Sequence, residues 1–192
     1  MGIYEDSETY TPFNEQEAVD KRTIMAALES GGACFDRSAQ AHMTCSVWTV
    51  DAAMEQTLFV YHDIYDSWSW IGGHADGEHD LASVALRELE EETGVAGARI
   101  VPCCGSDILS LETLTVDGHE KHGVYVSSHL HLNVTYLTVA DPAEPLRCAP
   151  GENSAVAWMP MDEALARSTE PWMRDRIYRK IVAKLAAARR DA

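Results

Sequence analysis

The chain has 192 residues and a composition typical of a folded globular protein. Its 46% hydrophobic and 24% charged residues exclude a disordered or fibrous chain, and its length suits one domain with short terminal additions. The 31 acidic residues outnumber the 15 basic residues, which gives a formal net charge of −16. Such a surface repels polyanions, so neither a nucleic acid polymer nor a membrane is an expected partner.

The cysteines and the N-terminal residues favour a cytoplasmic protein. Five cysteines are an odd number, and none of them forms a CxxC pair typical of a metal site. Residues 1–15 are acidic and polar, unlike a signal peptide. No apolar run reaches the roughly 18 residues that a membrane helix needs.

Local sequence patterns predict one helix, then strands that surround a second helix. Asn14 with Glu17 three positions later has the spacing of a capping box, and Gly31 ends the helical pattern that follows. Runs of β-branched and aromatic residues predict the strands, and Asp117-Gly118 is typical of a hairpin turn. In chain order we expect a helix over 14–30, strands over 43–50 and 57–61, an aromatic loop over 65–70, a glycine turn over 71–73, a helix over 81–93, strands over 99–104, 109–116, 123–139 and 155–159, and a helix from 161 to 167.

This order is neither a βαβα alternation nor all-β. It predicts an α+β fold, an α/β/α sandwich with a mixed β-sheet between helices. We expect an N-terminal helical extension over 1–41 packed on a central domain over 42–168, and a C-terminal helix of the same domain over 169–192.

The C-terminal segment is predicted to be a docked amphipathic helix. An apolar stripe runs through it, with basic residues between its members. We expect the stripe to pack on the domain and the charged groups to lie in solvent. A helix lying on a membrane surface is the alternative. The members of the stripe are Met173, Ile177, Ile181 and Leu185.

The residues that indicate a catalytic or metal-binding function lie between positions 72 and 95. Glu88, Glu91 and Glu92 are spaced i, i+3 and i+4, which places three carboxylates within an arc of about 100° on one helix. Such carboxylates repel one another unless a cation lies among them, and oxygen ligands select Mg²⁺, Mn²⁺ or Ca²⁺. A solvated acidic face is the ordinary interpretation of this pattern. The glycine pair before the helix, where a backbone can approach a ligand closely, favours a metal site instead.

This segment resembles the signature of the Nudix hydrolase family. The resemblance extends from about residue 42 to the segment 158–163 and implies the Nudix fold. His79 stands where the family has its first glutamate, and Glu78 lies one residue earlier. We expect Glu78 to take over that role by binding Arg87 or the metal ligands, with His79 as the alternative. The matching residues are Gly73, Arg87, Glu88, Leu89, Glu91, Glu92, Gly94 and Val95.

The resemblance implies a hydrolase that cleaves a diphosphate bond in a nucleoside diphosphate linked to another group, with Mg²⁺ or Mn²⁺ as cofactor. Glu88, Glu91 and Glu92 are then the metal ligands. Glu91 is the first candidate for catalytic base, with Glu92 or Glu152 as alternatives, and Arg87 is an orienting residue.

The expected substrate is a small phosphorylated molecule, and several residues are candidates for binding it. Gly73 allows close approach of the backbone, and His74 follows it directly. Trp70 could stack a nucleobase. His129 and His131 alternate on one strand and therefore share a face, which suits phosphate binding.

Two other functions stay open. One is a non-catalytic Nudix domain that binds a metabolite, and the other is an enzyme similar to isopentenyl-diphosphate isomerase. A homodimer stays open as the assembly.

Overall fold

The computed structural model describes residues 2–121 and 123–190, without the side chain of Lys121. A short 3₁₀ turn spans Ala33–Phe35, and a π-helical segment, Met173–Tyr178, leads directly into the last helix. The helices are α1 (Ile3–Thr9), α2 (Glu15–Glu29), α3 (Leu81–Thr93), α4 (Met161–Arg167) and α5 (Arg179–Ala188). The strands are β1 (Ala41–Val50), β2 (Gln56–His62), β3 (Ser67–Ser69), β4 (Ile71–His74), β5 (Arg99–Ile100), β6 (Ile108–Val116), β7 (His119–Lys121), β8 (Val124–Val126), β9 (His129–Val139) and β10 (Asn153–Pro160).

The strands form one mixed sheet and a separate two-stranded ribbon. The sheet has the order β10-β2-β1-β9-β5, and β3, β4 and β6 pair with β2, β1 and β9 respectively. β1 and β9 are parallel from the pair Ala41 and Leu130 to the pair Val50 and Val139. The other described pairings are antiparallel, including that of β7 with β8 in the ribbon.

Side chains alternate along β1 and supply two separate cores. Met43 and Val47 are buried in a cluster that includes Val84 and Leu89 of α3. Trp48 lies in a second cluster with the C-terminal helical segment. The sheet therefore lies between helices, which confirms the predicted α+β sandwich.

Most predicted elements are confirmed, but four differ. The expected aromatic loop contains β3, and the expected glycine turn is β4, because both segments hydrogen-bond to the long central strands. The strand expected over 99–104 stops at Ile100. The run 123–139 is divided into β8 and β9.

The hairpin turn predicted at Asp117-Gly118 is wrong. The strands on its two sides do not pair with each other: β6 pairs with β9 as far as Val116 and His129, and β7 pairs with β8. The dipeptide instead lies where the chain leaves β6 for the separate ribbon.

The C-terminal helix is docked as predicted, but two of its charges are buried. Ile177, Ile181 and Leu185 lie in the core, so the apolar stripe is not available to a membrane. Among the residues that the structure describes, no helix has the length and apolar character to cross one. The expectation that the basic residues lie in solvent is wrong for Lys180 and Lys184. Only 6% of the surface of Lys180 and 3% of the surface of Lys184 is exposed.

These lysines are buried because Lys180 pairs with buried acids and Lys184 donates hydrogen bonds to buried oxygens. Lys180 Nζ lies 3.2 Å from Glu17 Oε1 and 3.0 Å from Glu112 Oε1. Burial lowers the pKa of Lys180, but Glu112 and Glu17 more than offset this, so its pKa is raised. Lys184 donates to the Tyr10 hydroxyl and the Leu109 carbonyl. The network joins the N-terminal helices, the sheet and the C-terminal helix into one unit.

We expect Lys180→Met to lower the free energy of unfolding by about 3–5 kcal/mol, because the buried Glu17 and Glu112 would lose the one ammonium group that contacts both of them. Urea unfolding measures the loss. Arg179→Met is the matched control, since Arg179 is exposed and pairs with Asp175 at the surface. Equal stabilities of the two variants would contradict the interpretation. Truncation after Thr169 removes both lysines and the apolar stripe, so it is expected to destabilise further.

Candidate active site

The site is built where β4 crosses the face of α3. Gly73 pairs with Cys45 of β1, and its Cα lies directly against Glu88. A Cβ added at Gly73 would come within 2.3 Å of Glu88 Cδ and 2.6 Å of its Oε2. A side chain at this position would therefore displace the Glu88 carboxylate.

The helix that carries the carboxylates begins and ends at defined caps. The Asp80 side chain accepts a hydrogen bond from the Ser83 amide, 3.1 Å away. Gly94 ends the helix in the left-handed conformation, with φ of 83°. These bounds match the predicted helix and fix which residues face β4.

Glu92 is the most deeply buried of the three carboxylates on α3. Only 5% of its surface is exposed, and its Oε1 accepts a long hydrogen bond of 3.4 Å from the Gly72 amide. Burial, then the charges of Glu152 and Glu88, raise the pKa of Glu92 to about 8. The described residues thus leave Glu92 short of positive charge.

Glu88 also lies in an environment that disfavours its charged form. Burial and then the neighbouring Glu91 raise its pKa, although Arg87 opposes them, and Glu152 and Asp76 add to the repulsion. Crowded, partly buried oxygen donors that repel one another are the set that a hard divalent cation such as Mg²⁺ or Mn²⁺ neutralises. The residues on this face therefore fit such a cation.

Glu91 and Arg87 lie at the solvent edge of the cluster. The Glu91 side chain is 61% exposed, and Arg87 Nε lies 4.0 Å from its Oε1, while Arg87 Nη2 lies 3.7 Å from Glu88 Oε1. Both groups are free to turn toward a ligand at the surface. Glu152 lies outside the helix, but its charge acts on Glu88 and Glu92, so the fold brings it to the same cluster.

Glu78 does not bind Arg87 within the part of the chain that the structure describes. Its Oε1 instead accepts hydrogen bonds from the amides of His79 and Asp80, at 2.8 and 3.0 Å. The His79 ring stacks on Phe35, with ring centroids 3.9 Å apart. The family's first glutamate thus has a packing histidine in its place, and Glu78 holds the turn before α3.

Trp70 lies apart from the carboxylates. It is 8% exposed, and its ring meets Tyr178 edge to face, with centroids 5.4 Å apart. Its position suits core packing under the C-terminal helix more than the stacking of a nucleobase.

His74 and His129 belong to a group of histidines on the other side of β4. Their rings each lie close to His42, with centroid distances of 5.2 and 5.0 Å, and His131 completes the group. Sequence reasoning missed His42, because its neighbour His131 is aligned with it only through the parallel pairing of β1 and β9. The alternation of His42 with Thr44 and Ser46 was the available signal.

Known proteins share this architecture. The C. elegans Ap4A hydrolase binary complex matches with a TM-score of 0.54 and 19% identity, over 76% of this chain and 98% of that chain. The MutT protein from Methanosarcina mazei Go1 matches with a TM-score of 0.53 and 16% identity, over 76% and 95%. The E. coli dihydroneopterin triphosphate pyrophosphohydrolase matches with a TM-score of 0.53 and 14% identity, over 73% and 95%. Identities this low show the common fold.

Comparison of the sequence with family models shows the family of this chain. A search of curated proteins finds no match to this chain. The family model described as NUDIX domain matches residues 43–181, which include the whole of α3, the glycine pair of β4 and the segment that holds Glu152. The chain therefore belongs to the Nudix family of hydrolases, which act on phosphorus-containing anhydrides.

Proposed function

We propose that the protein cleaves a diphosphate bond in a nucleoside diphosphate linked to another group, and that it uses Mg²⁺ or Mn²⁺. The observation that carries this proposal is the pair formed by the buried Glu92 and the half-buried Glu88, whose pKa values are raised and which lie against the glycine pair of β4. The solved structures that share the fold include an Ap4A hydrolase and a dihydroneopterin triphosphate pyrophosphohydrolase, which supports a substrate with a polyphosphate chain.

The charge of the site explains why a cation is needed for this substrate. A diphosphate is an anion, and the chain carries a formal net charge of −16. Substrate and carboxylates would repel each other unless positive charge lay between them. A bound divalent cation would supply that charge and polarise the phosphoryl group.

Each side chain has a distinct part in the proposal. Glu88 and Glu92 hold the cation from the buried side, and Glu91 completes the set from the solvent edge. Glu91 is also the first candidate to accept the proton of the attacking water, because it is exposed and adjoins the other two. Glu152 is the alternative, and Arg87 orients Glu88 and Glu91 by its two weak ion pairs.

Gly73 is the proposed contact for the substrate, because its bare backbone lies directly beside the Glu88 carboxylate. His74 and His129, which the sequence also offered as contacts, lie on the opposite face of the sheet, so they are not assigned to the substrate. Because Trp70 is buried, it is not proposed to stack a nucleobase.

A non-catalytic metabolite-binding domain would leave nucleotides intact. We expect at least one member of a substrate panel to be cleaved only with added Mg²⁺ or Mn²⁺. The panel holds nucleoside triphosphates, oxidised triphosphates, ADP-ribose, NADH, dinucleoside polyphosphates and nucleotide sugars, and released products are measured with and without EDTA. Binding without turnover of every compound would contradict the proposal, as would turnover that persists in EDTA.

Glu91→Gln is expected to lower turnover of the best substrate at least roughly a hundredfold, as removal of one strong electrostatic stabiliser does. Folding should survive, because Glu91 is exposed. Glu90→Gln, on the exposed side of the same helix, is the matched control and should keep its rate. A Glu91→Gln rate near that of the control would exclude this assignment, and a large loss in Glu152→Gln would then identify Glu152 as the base.

Stability should fall as pH rises when no cation is present. The pKa of Glu92 is about 8 in the folded protein against 4.5 for the free group. Between these values the folded protein keeps a proton that the unfolded chain has lost, so deprotonation favours unfolding. Above pH 8 the loss is complete.

Glu92→Gln removes the part of this dependence that comes from Glu92, while the raised pKa of Glu88 keeps a part of the same sign. In EDTA at pH 8.5 we expect the variant to exceed the natural protein in free energy of unfolding, on the order of 2 kcal/mol, with a smaller difference at pH 5. Urea unfolding at the two pH values measures both, and Glu90→Gln is again the control. Mg²⁺ should stabilise the natural protein at pH 8.5 more than the variant. Identical pH profiles for all three proteins would contradict the burial argument.

A further inference from the structure

Histidines from three strands meet on the face of the sheet opposite α3. His42 is paired with His131 across β1 and β9, and His74 is paired with Thr44, two residues further along β1. The ring centroids of His42, His74 and His131 lie 5.0 to 5.2 Å from one another. One ring nitrogen of each lies within 4.8 Å of the nitrogens of the other two.

The backbone fixes the tautomer of His42. Its Nδ1 lies 2.8 Å from the Ala39 carbonyl oxygen, and because a carbonyl only accepts, Nδ1 carries the proton. The lone pair is therefore on Nε2. This atom is buried and has no hydrogen-bond partner among the described residues, in a residue that is 2% exposed. A buried acceptor left unpaired is costly, so its position calls for an electrophilic partner.

A carbonyl that holds one nitrogen of an imidazole while the other faces a cluster is the usual arrangement of a metal-bound histidine. Metal binding also needs the neutral ring. Burial and the neighbouring His74 and His42 lower the pKa of His131 to about 3, and burial also lowers that of His42. These rings are therefore neutral at physiological pH.

Hydrogen bonds within the histidine cluster do not provide a partner for every ring nitrogen among the described residues. His129 Nδ1 is held by the Ser127 carbonyl, so its Nε2 accepts from His131 Nε2, 3.2 Å away. Asp76 is the nearby acid that acts on His42 and His74, and it already forms a two-point ion pair with Arg37. His42 Nε2 is satisfied by neither contact.

We propose that His42, His74 and His131 bind a late first-row transition-metal ion, with Zn²⁺ as the first candidate. Imidazole nitrogens suit Zn²⁺, whereas the carboxylates of α3 suit harder ions. Nitrogens around a tetrahedral Zn²⁺ lie about 3.3 Å apart, given bonds of about 2.0–2.1 Å. The three rings would close in by roughly one ångström on binding. Three protein ligands leave one position for water or an anion.

This imidazole site is separate from the carboxylate cluster and does not rest on the proposed hydrolysis. Its test is binding of Zn²⁺ by the full chain, measured by calorimetry in excess Mg²⁺ so that Mg²⁺ competes for the carboxylates. We expect one equivalent of Zn²⁺ to bind, and His131→Gln and His42→Gln each to bind it at least about a hundredfold more weakly. His119→Gln is the matched control, since His119 lies beside His129 but outside the three.

Glu88→Gln distinguishes the two sites, because it should bind Zn²⁺ as the natural protein does. Loss of Zn²⁺ binding in Glu88→Gln with retention in both histidine variants would overturn the proposal, and so would equal binding by His131→Gln, His42→Gln and the control.

A measurement on the natural protein tests the proposal even if a histidine variant does not fold. We expect the ¹⁵N resonance of His42 Nε2 to shift on addition of one equivalent of Zn²⁺, together with one ring nitrogen each of His74 and His131. The ring resonances of His119 should stay in place. Unchanged resonances of the three would overturn the proposal.

Discussion

The pleat of β1 is the constraint on which both the fold and the site depend. Successive side chains of a strand point to opposite faces, so one face of β1 receives α3 and the other receives the C-terminal helix. The same alternation divides the polar groups, with His42 on one face and Cys45, beside Gly73 and Glu88, on the other. Because β1 pairs in parallel with β9 and antiparallel with β4, it also fixes which residues of those strands join each set.

The protein deals with buried acids in two contrasting ways. Glu17 and Glu112 are fully buried, and the chain supplies their counterion in Lys180. Burial raises the pKa of Glu17, but Lys180, the Phe13 amide and Lys184 more than offset it, so the pKa is lowered. Among the residues that the structure describes, Glu88 and Glu92 have no comparable cation, and their pKa values are raised. Acids that the chain neutralises serve structure, while acids that it leaves unneutralised favour a cation from solution.

Features that depend on nearby residues could be predicted from the sequence. Helix α3 ends where Gly94 supplies a left-handed cap, and the spacing of its glutamates places them on one face. Features that depend on distant residues could not. The burial of Lys180 requires Glu17 and Glu112 from other elements, and a basic residue on an amphipathic helix ordinarily lies in solvent. His42 likewise gains its neighbours only through strand pairing.

The two sites are one residue apart on β4, and this proximity constrains both. Gly73 lies against Glu88 while His74 joins the histidines, and the pairing of these residues with Cys45 and Thr44 fixes the division. A shift of one residue in that pairing would exchange the faces and bring a histidine side chain into the space that Glu88 occupies. Gly72 opposes such a shift, because a Cβ there would lie 2.3 Å from the Cys45 carbonyl oxygen. The glycine pair therefore sets the register of β4 and also leaves room for the Glu88 carboxylate.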